Sequence, residues 1–365
     1  MAKSLINILG GTAYSSTGGI QAVNRMMVRE LSSNAMLRRA YFLWDDIRTV
    51  TPDGRVYSES GLARFYALDR KKFTKDIFHS GIKNLNDYWL CTHVNYTLVG
   101  LCASIGRRHR VGVLLHAAEL DEAFTDTKRK ALCQAGQVFT VSEFTKKKAV
   151  YYGVNPSRIC VIENGVDDPC PNWQPSDPRE IRNTLLFVGR MDERYKGQME
   201  LLDAMVLLRY RLPDLRLVFV GAGQTLAEWR AEAARRNLAD RVEFTGRIGD
   251  EELLQRYESA ALFVMPSENE GFGLVYAEAM AHGVPCIGSD RDAAREVIAH
   301  GETGLCVPAN NSTALADAIS SLLSEPQRLR EMGFAARARF FSRFSAEKHS
   351  ERLLTALNSW RALAH

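Results

Sequence analysis

Two glutamates eight residues apart stand out in the stretch SENEGFGLVYAEAMAHGVPCIGSD, residues 267–290. Glu270 precedes a glycine-rich turn, and Glu278 lies inside the apolar run LVYAEAMA. A carboxylate among apolar residues is costly unless a hydrogen-bond donor or a cation faces it. Glu278 therefore needs a partner. The vicinal hydroxyls of a ribose and a basic side chain of the protein are the two candidates.

The turn before Glu278 has the features of an anion site. A strand-like run, ALFVMPS, ends just before it, and Gly283 closes the following helix as a C-terminal glycine does. Glycines at the turn allow close approach of a ligand to the backbone, and the first amides of a helix attract negative charge. The turn is thus predicted to hold a diphosphate, through Gly271, Phe272, Gly273 and Leu274.

Two cations follow a second buried-strand pattern, LLFVG. Arg190 and Lys196 should emerge at the carboxyl end of that strand. Arginine binds phosphate oxygens with two parallel hydrogen bonds, and lysine adds a compact charge. Together they are predicted to stabilise a departing nucleoside diphosphate without a metal. A surface salt bridge with Asp192 or Glu193 is the alternative.

These segments resemble a family. EGFGLVYAEAMAHGVPCIGSD, with its E-x7-E spacing, and LLFVGRMDERYKGQMELLDAM are similar to signatures of the retaining, family 4 glycosyltransferases of the GT-B fold. VGAGQ, VEFTGRI, SEFTKKKAVYYGV and VIENGVD also resemble family blocks, so the likeness runs from about Thr140 to Pro308 and is looser before that. It implies transfer of a sugar from a UDP- or GDP-linked donor to a glycan or lipid-linked oligosaccharide acceptor. Bacterial surface polysaccharide, including lipopolysaccharide, is the commonest setting.

The resemblance also implies roles for individual residues. Arg190 and Lys196 would neutralise the leaving group, Glu270 would orient the donor sugar, and Glu278 would hold the ribose. The departing phosphate itself would take the proton of the acceptor on the same face, which retains the anomeric configuration. The base would be read through the turn formed by Gly246, Arg247 and Ile248.

The N-terminal half offers further candidates. The loop GGTAYSSTGGIQAV places Gly18 and Gly19 at a helix start, and the resemblance brings this loop to the donor phosphates and the acceptor. The loop lacks the G-x-G-x-x-G fingerprint of dinucleotide binding. His93 and His116 each end an apolar run, and the resemblance favours His116 as a residue near the transferred sugar. A structural histidine is the alternative for both.

Asp290 and Asp292 spell a D-x-D, which holds a metal in the GT-A class of glycosyltransferases. The pair lies downstream of the glutamate helix without an evident third oxygen ligand, so we interpret it as a helix cap. We expect no metal site and no cofactor besides the donor. The basic run Arg107–Arg110 can contact anionic lipid or an acceptor phosphate, or form a solvated turn.

Strand-like and helix-like runs alternate along both halves of the chain, which predicts an α/β protein with doubly wound, mostly parallel sheets. The strand candidates are SLINILGG, YWLCTHV, RVGVLLHA, QVFTVS and RICVIENG, then TLLFVGR, LRLVFVGAG, RVEFTGR, ALFVMPS and VPCIGSD. Residues 166–183 hold four prolines and little apolar periodicity, which is typical of a linker.

The domain prediction follows from this alternation. Residues 1–170 and residues 171–345 are each predicted to form a Rossmann-like domain, and the resemblance implies that the first binds the acceptor and the second the nucleotide sugar. Residues 346–365 form a C-terminal helix, for which packing back on the N-terminal domain is one open arrangement. The GT-B resemblance implies that the two domains face a central cleft.

Composition limits the class of protein. The 365 residues are 46% hydrophobic and 25% charged, as in globular proteins, and two domains suit this length. No apolar run approaches the roughly 18 residues of a membrane span, and the start lacks a signal-peptide pattern, so we expect a cytoplasmic protein. Residues 1–170 carry 23 Lys and Arg against 16 Asp and Glu, a net charge of +7. This charge predicts peripheral attraction to the anionic inner face of a membrane, with a solvated surface as the alternative. We expect no nucleic-acid partner.

The seven cysteines are odd in number and include no C-x-x-C pair, so we expect neither a disulfide framework nor a structural zinc site. They are Cys91, Cys102, Cys133, Cys160, Cys170, Cys286 and Cys306. Two other functions stay open beside the glycosyltransferase. One is a nucleotide-sugar epimerase of the GT-B fold, and the other is a non-catalytic nucleotide-sugar or glycan-binding protein.

Overall fold

The computed structural model describes residues 4–14, 18–45, 62–121, 124–174 and 183–363. They form two compact units, one of Met1–Asn164 with Ser350–His365 and the other of Gly165–His349. The first boundary falls six residues before the predicted one at residue 170. Within the described ranges, no helix has the length and apolar character needed to cross a membrane.

The first unit contains a seven-stranded parallel sheet among its described residues. Its central strands, such as INILG and VGVLL, are fully buried because helices cover both faces of a parallel sheet. The strands are β1 (Ile6–Gly10), β2 (Leu37–Phe42), β3 (Ala63–Phe65), β4 (Tyr88–Cys91), β5 (Val111–Leu115), β6 (Gln137–Thr140) and β7 (Ile159–Val161). The helices are α1 (Gly19–Ser33), α2 (Arg70–Lys83), α3 (Thr97–Ala103), α4 (Asp126–Gln134) and α5 (Glu143–Tyr151).

The second unit contains a six-stranded parallel sheet among its described residues. Its strands are β8 (Thr184–Val188), β9 (Arg216–Val220), β10 (Val242–Gly246), β11 (Leu262–Met265), β12 (Cys286–Ser289) and β13 (Gly304–Val307). The helices are α6 (Gln198–Leu208), α7 (Leu226–Arg235), α8 (Asp250–Ser259), α9 (Leu274–Ala281), α10 (Ala294–Val297), α11 (Ser312–Leu323) and α12 (Pro326–Arg339). A π-helical turn, Phe340–Phe344, precedes the last helix, α13 (Ala346–Leu363).

Both sheets reverse their strand order beside the first strand of the unit. The orders are β3-β2-β1-β4-β5-β6-β7 and β10-β9-β8-β11-β12-β13. Open parallel sheets bind ligands outside the carboxyl ends of the strands where the order reverses. The loops after β1 and β4 in the first unit, and after β8 and β11 in the second, therefore lie where a ligand site is expected.

The last helix contributes its C-terminal part to the first unit. Trp360 is buried there, with its ring 4.9 Å from that of Tyr88 and 5.6 Å from that of Phe139. Its indole N–H donates a 3.0 Å hydrogen bond to the carbonyl of His109. These contacts anchor residues far apart in sequence within one core.

The predicted linker, residues 166–183, is only partly described, because residues 175–182 lie outside the described ranges. Its first part packs on the second unit. The backbone of Val166 forms a bridge with Ser345, and Arg337 donates to both carboxylate oxygens of Asp168 at 2.7 and 2.9 Å. The indole of Trp173 donates to the carbonyl of His282 at 2.8 Å. Residues 166–174 therefore form a packed segment of the second unit.

Candidate functional site

Lys196 and Glu270 form an ion pair where the strand order of the second unit reverses. Lys196 follows β8 and Glu270 follows β11, and Nζ lies 2.7 Å from Glu270 Oε2 and 3.4 Å from Glu193 Oε2. Lys196 is only 9% exposed. Burial alone would lower its pKa, but the Glu270 carboxylate, with Tyr195 and Glu193, raises the pKa above the ordinary lysine value. The lysine is therefore charged at neutral pH.

Arg190 lies at the same edge of the sheet but is open to solvent. Its side chain is 68% exposed, and its guanidinium lies 3.5 Å from Glu193. This contact is the surface salt bridge that the sequence offered as the alternative. An exposed pair of this kind contributes little free energy, so an anionic ligand can replace Glu193 at low cost.

Tight backbone packing fixes the two loops against each other. Gly197 has a φ of +84°, and a Cβ there would lie 2.6 Å from the carbonyl oxygen of Pro266. The amide of Glu268 also donates to the carbonyl of Tyr195 at 2.9 Å. A larger residue at position 197 would push the loop after β8 away from the loop after β11.

Asp292 holds the loop that carries Glu270. Its buried carboxylate accepts from the Ser267 hydroxyl at 2.7 Å and from the amides of Glu270 and Ala294 at 2.9 Å each. Burial raises the pKa of Asp292 to about 6 despite these donors. The acceptance from Ala294, the first residue of α10, agrees with a helix-capping use. The hydrogen bonds from Ser267 and Glu270 to Asp292, which hold the Glu270 loop in place, were not predicted from the sequence.

The other aspartate of the D-x-D has a separate partner. Asp290 is exposed, and its Oδ1 accepts from the amide of Ala309 at 3.3 Å. With Asp292 committed to three donors, both carboxylates have protein partners. The interpretation of this pair as a structural element rather than a metal ligand set remains a prediction.

Helix α9 begins at the glycine turn. Gly273 is its N-cap with a φ of +80°, and no side chain of the described residues caps this end. A Cβ on Gly273 would lie 2.4 Å from the ring of Tyr276, so only glycine fits. Phe272 is 3% exposed and packs against Phe344, which leaves only its backbone for ligand binding. The amides at this end of α9 suit an anion.

Glu278 lies in the second turn of α9 and has a partner within the protein. The hydroxyl of Tyr257 on α8 donates to Glu278 Oε2 at 2.9 Å. Burial raises the pKa of Glu278, and the tyrosine hydrogen bond opposes that rise. The partner within the protein is thus a phenol rather than the basic side chain offered as the alternative, which leaves Oε1 to accept a further hydrogen bond.

The turn predicted to read the base follows the edge strand β10. Gly246 has a φ of +73° and open space where a Cβ would lie. Its carbonyl accepts from the amide of Gly221 at 2.9 Å. Arg247 is exposed and Ile248 is half-buried. The turn is at the same carboxyl edge as Lys196, two strands away from β8.

In the first unit, His116 and Glu119 meet at the end of β5. His116 is 9% exposed, and its Nε2 lies 3.1 Å from the carbonyl oxygen of Thr92. Burial lowers the pKa of His116 to about 4, so the ring is neutral near pH 7. A carbonyl only accepts, so Nε2 carries the proton and Nδ1 is left as an acceptor.

Glu119 orients the backbone of His116 and was missed from the sequence. Its Oε1 accepts from the His116 amide at 2.8 Å, around a left-handed residue, Ala117, with a φ of +77°. Burial raises the pKa of Glu119, and the nearby His93 opposes this rise. His93 itself uses Nδ1 to accept from the amide of Asn95 at 3.2 Å. The structure therefore gives His93 a capping role and leaves His116 as the better site candidate.

A buried aspartate holds the loop after β1. Asp45 accepts from the amides of Ala13 and Tyr14 at 2.8 and 3.1 Å, and also from the Thr12 hydroxyl. Gly18 is the N-cap of α1 and Gly19 its first residue, and no side chain of the described residues caps this helix. Residues 15–17 of this predicted loop lie outside the described ranges.

The basic run Arg107–Arg110 is not a uniform surface. Arg110 is 8% exposed, donates to the carbonyl of Asn86 and lies 4.8 Å from the ring centroid of Tyr88. Its position is structural, so the run offers Arg107 and Arg108 alone to an anionic partner.

The two parallel-sheet units define a GT-B fold, and comparisons with known proteins agree. The structure superposes on a crystal structure of Anabaena Alr3699/HepE in complex with UDP, with a TM-score of 0.80 and 21% identity over 97% of this chain and 100% of that one. It also superposes on a sucrose-phosphate synthase from Thermosynechococcus elongatus, with a TM-score of 0.76 and 22% identity over 99% of this chain and 100% of that one. At these identities the likeness shows the fold.

Residues 172–339 match the family described as Glycosyl transferases group 1. It is 40% identical over 187 residues to a phosphatidyl-myo-inositol mannosyltransferase of Mycobacterium leprae, which is 50% of this chain and 49% of that one. It is 29% identical over 273 residues to a GDP-mannose-dependent alpha-(1-6)-phosphatidylinositol monomannoside mannosyltransferase of Mycobacterium tuberculosis, which is 70% of this chain and 71% of that one. The chain spans about half the length of the first of these relatives.

The lowered pKa of His116 predicts a pH-dependent stability. The folded protein resists protonation of His116 until about pH 4, whereas the unfolded chain takes up this proton near pH 6.5. Stability should therefore be lost as the pH falls from 6.5 to 4, by about 3 kcal/mol for this residue. His116→Gln keeps an N–H donor for Thr92 but does not titrate. The free energy of unfolding, measured with urea between pH 6.5 and 4, should depend less on pH in His116→Gln than in the wild type.

His79, an exposed histidine of α2, provides the control. His79→Gln should keep the pH dependence of the wild type. If the free energy of unfolding falls equally with pH in the wild type and in His116→Gln, His116 is not a buried, neutral histidine.

Proposed function

We propose that this protein is a retaining glycosyltransferase that moves a sugar from a nucleoside diphosphate to a lipid-linked or glycan acceptor. The observation that carries the proposal is the cluster of Lys196, Glu270 and Arg190 beside the amino end of α9. A buried, charged lysine and an exposed arginine lie at the strand-order reversal of a sheet. The match of residues 172–339 to the glycosyl transferases group 1 family and the mannosyltransferase relatives support the same activity.

The diphosphate is proposed to bind Arg190, Lys196 and the amides that begin α9. In the absence of a donor, Glu193 and Glu270 balance the charges of Arg190 and Lys196. A diphosphate would displace Glu193, because its contacts are longer than the 2.7 Å contact of Glu270. Glu270 would then keep Lys196 in place and present its other oxygen to a hydroxyl of the donor sugar.

The reaction needs no protein nucleophile. The bond between the anomeric carbon and the phosphate oxygen breaks, and the acceptor oxygen forms a new bond on the same face. The acceptor proton passes to the departing phosphate. Arg190 and Lys196 stabilise the developing negative charge on the phosphate. Such electrostatic stabilisation is usually the largest single contribution to the rate enhancement. We infer that no metal is required for this step, because the two cations supply the charge.

Glu278 and His116 are proposed to position the donor. Glu278 has Oε1 to accept from a ribose hydroxyl while Tyr257 donates to Oε2. The turn at Gly246–Ile248 would contact the base. His116 would accept a hydrogen bond from a hydroxyl of the transferred sugar through Nδ1, with Glu119 as its positioning residue.

The relatives suggest the substrates. Two of them are named for mannosyl transfer to phosphatidylinositol or its mannoside, one of these with GDP-mannose as donor. We propose GDP-mannose and a phosphatidylinositol-type acceptor as the first pair to assay. UDP-glucose is the second donor, since the HepE structures contain UDP and UDP-glucose.

Turnover of the wild type and of Arg190→Ala tests the proposal. Purified protein is assayed with GDP-mannose or UDP-glucose and phosphatidylinositol vesicles, by release of the nucleoside diphosphate. Loss of a positive charge beside the leaving group should lower kcat/KM of Arg190→Ala by about 100-fold or more. Lys196→Ala is less suitable, because it leaves Glu270 without its cation and would destabilise the fold.

Arg194 supplies a matched control. It lies in the same loop, is 59% exposed and pairs with Glu228 instead. Arg194→Ala should retain wild-type turnover, and turnover should be equal with magnesium present or omitted. Unchanged kcat/KM in Arg190→Ala would remove Arg190 from the mechanism. Donor binding without turnover would favour a binding protein, and epimerised free sugar would favour the epimerase.

The first unit has a surface suited to an anionic membrane. Lys71, Lys75, Phe78 and Ile82 recur at helical spacing on α2 and are all exposed. Phe78 is 40% and Ile82 62% exposed, while Phe73 and Ile77 bury the other face of the helix. A basic stripe continued by exposed apolar side chains is typical of a helix lying in a membrane interface. We propose that α2 docks the protein on the membrane that contains the acceptor.

Vesicle flotation tests this docking. The wild type should float with phosphatidylglycerol vesicles and less so as salt rises, because screening acts over about 10 Å at 0.1 M. The double variant Phe78→Ser, Ile82→Ser should bind at least about tenfold more weakly, since each side chain loses apolar burial. Tyr210→Ser, which removes an 89% exposed side chain of the second unit, should bind as the wild type does. Equal recovery of the wild-type protein with neutral and with anionic vesicles would contradict an electrostatic origin of membrane binding.

A further inference from the structure

A cysteine, a glutamate and a histidine converge in the second unit, away from the carboxyl edge of its sheet. Cys170 Sγ lies 3.2 Å from His282 Nδ1 and 3.7 Å from Glu258 Oε1. The three atoms all lie within 4.8 Å of one another. Cys170 lies in the packed segment 166–174. Glu258 is near the end of α8, and His282 is the C-cap of α9.

The distances match a tetrahedral metal site. Zinc binds thiolate sulfur at about 2.3 Å and imidazole nitrogen or carboxylate oxygen at about 2.0–2.2 Å, which places ligand atoms roughly 3.5 Å apart. The observed separations of 3.2 and 3.7 Å fall on either side of this value. The ligand atoms of the third pair, Glu258 and His282, lie within 4.8 Å of each other, so an ion can enter once Glu258, which is exposed, moves towards the histidine. The mixed sulfur, nitrogen and oxygen set suits zinc better than magnesium or calcium.

The neighbouring charges are compatible with a cation. Arg337 is close, but its guanidinium is paired with Asp168 and also donates to the Cys170 carbonyl at 2.6 Å. A zinc ion with one thiolate, one carboxylate and one neutral imidazole has no net charge. Glu258 is exposed, which gives an ion a route from solvent.

Two of the three ligands are held in place by further contacts. The His282 ring stacks on Tyr257 with centroids 5.1 Å apart, and its carbonyl accepts from the Trp173 indole. Arg337 fixes the backbone at Cys170. Such outer contacts orient the ligands of metal sites.

The protonation states allow binding. Burial and the Arg337 charge lower the pKa of His282 to about 4, so its ring is neutral. Burial and the Glu258 carboxylate raise the pKa of Cys170 to about 11, so its thiol is protonated in the metal-free protein. Formation of the zinc–sulfur bond breaks the S–H bond and releases its proton to solvent.

We propose a zinc site formed by Cys170, Glu258 and His282, with water as the fourth ligand. The ion would join the segment 166–174 to α8 and α9. The sequence expectation of no structural zinc site rested on the absence of a C-x-x-C pair. The three ligands are instead brought together from positions 88 and 112 residues apart. No local spacing could have revealed them.

Metal binding to the full-length protein tests the site directly. Chelator-stripped protein is titrated with zinc against a chromophoric competitor, and with cobalt(II) to record its absorption spectrum. The wild type should bind one zinc per chain with micromolar or tighter affinity. Cobalt should give a sulfur-to-metal charge-transfer band, and zinc should raise the midpoint of thermal unfolding.

Four variants separate the ligands from their surroundings. Cys170→Ser should abolish the charge-transfer band and weaken zinc binding by more than about 100-fold, since loss of a ligand exceeds the usual outer-contact effect. Glu258→Gln should also weaken zinc binding but keep the band. The controls are Cys160→Ser and Glu251→Gln, which should behave as the wild type.

Two results would overturn the site. One is the absence of zinc uptake by the wild type at millimolar ion. The other is uptake and a charge-transfer band that persist in Cys170→Ser. Neither readout depends on sugar transfer, so failure of the zinc site and failure of the glycosyltransferase proposal are distinguishable.

Discussion

The ion pair between Lys196 and Glu270 joins the loops after β8 and β11 at 2.7 Å, and the candidate donor site depends on it. Lys196 is almost fully buried, and the free energy cost of burying its charge is offset by the carboxylate. The pair therefore fixes a cation at the strand-order reversal before any ligand arrives. Arg190 lies exposed beside the pair and supplies a second positive charge. A buried cation and an exposed one together suit an anion that must be bound and released.

Two buried aspartates perform the same structural task in the two units. Asp292 accepts three hydrogen bonds and fixes the loop of Glu270, while Asp45 fixes residues 12–14 after β1. A carboxylate can accept from several backbone amides at once, so it holds an irregular loop that has no strand partner. In both units the loop beside the strand-order reversal is thus held by a buried aspartate on its protein-facing side. This leaves the opposite side of the loop for a ligand.

The sequence predicted the strands that consist of unbroken apolar runs, and with them the residues at their carboxyl ends. It missed β2 because Arg38 and Arg39 interrupt the run LRRAYF, and it also missed β3 and β13. Partners such as Tyr257 for Glu278 were beyond sequence reasoning, because they arise from contacts between distant segments. Residues 166–174 of the predicted linker pack within the second unit, where Arg337 binds Asp168 and the Trp173 indole donates to the carbonyl of His282, and these contacts could not be read from composition.

The central claim is that the donor diphosphate binds Arg190 and Lys196 with the ribose on Glu278. A crystal structure of the protein with GDP tests it most directly. The account predicts phosphate oxygens within about 3.2 Å of the Arg190 guanidinium and of Lys196 Nζ, and a ribose hydroxyl at the same distance from Glu278. A diphosphate that leaves the Arg190–Glu193 contact intact and lies away from Lys196 would contradict it.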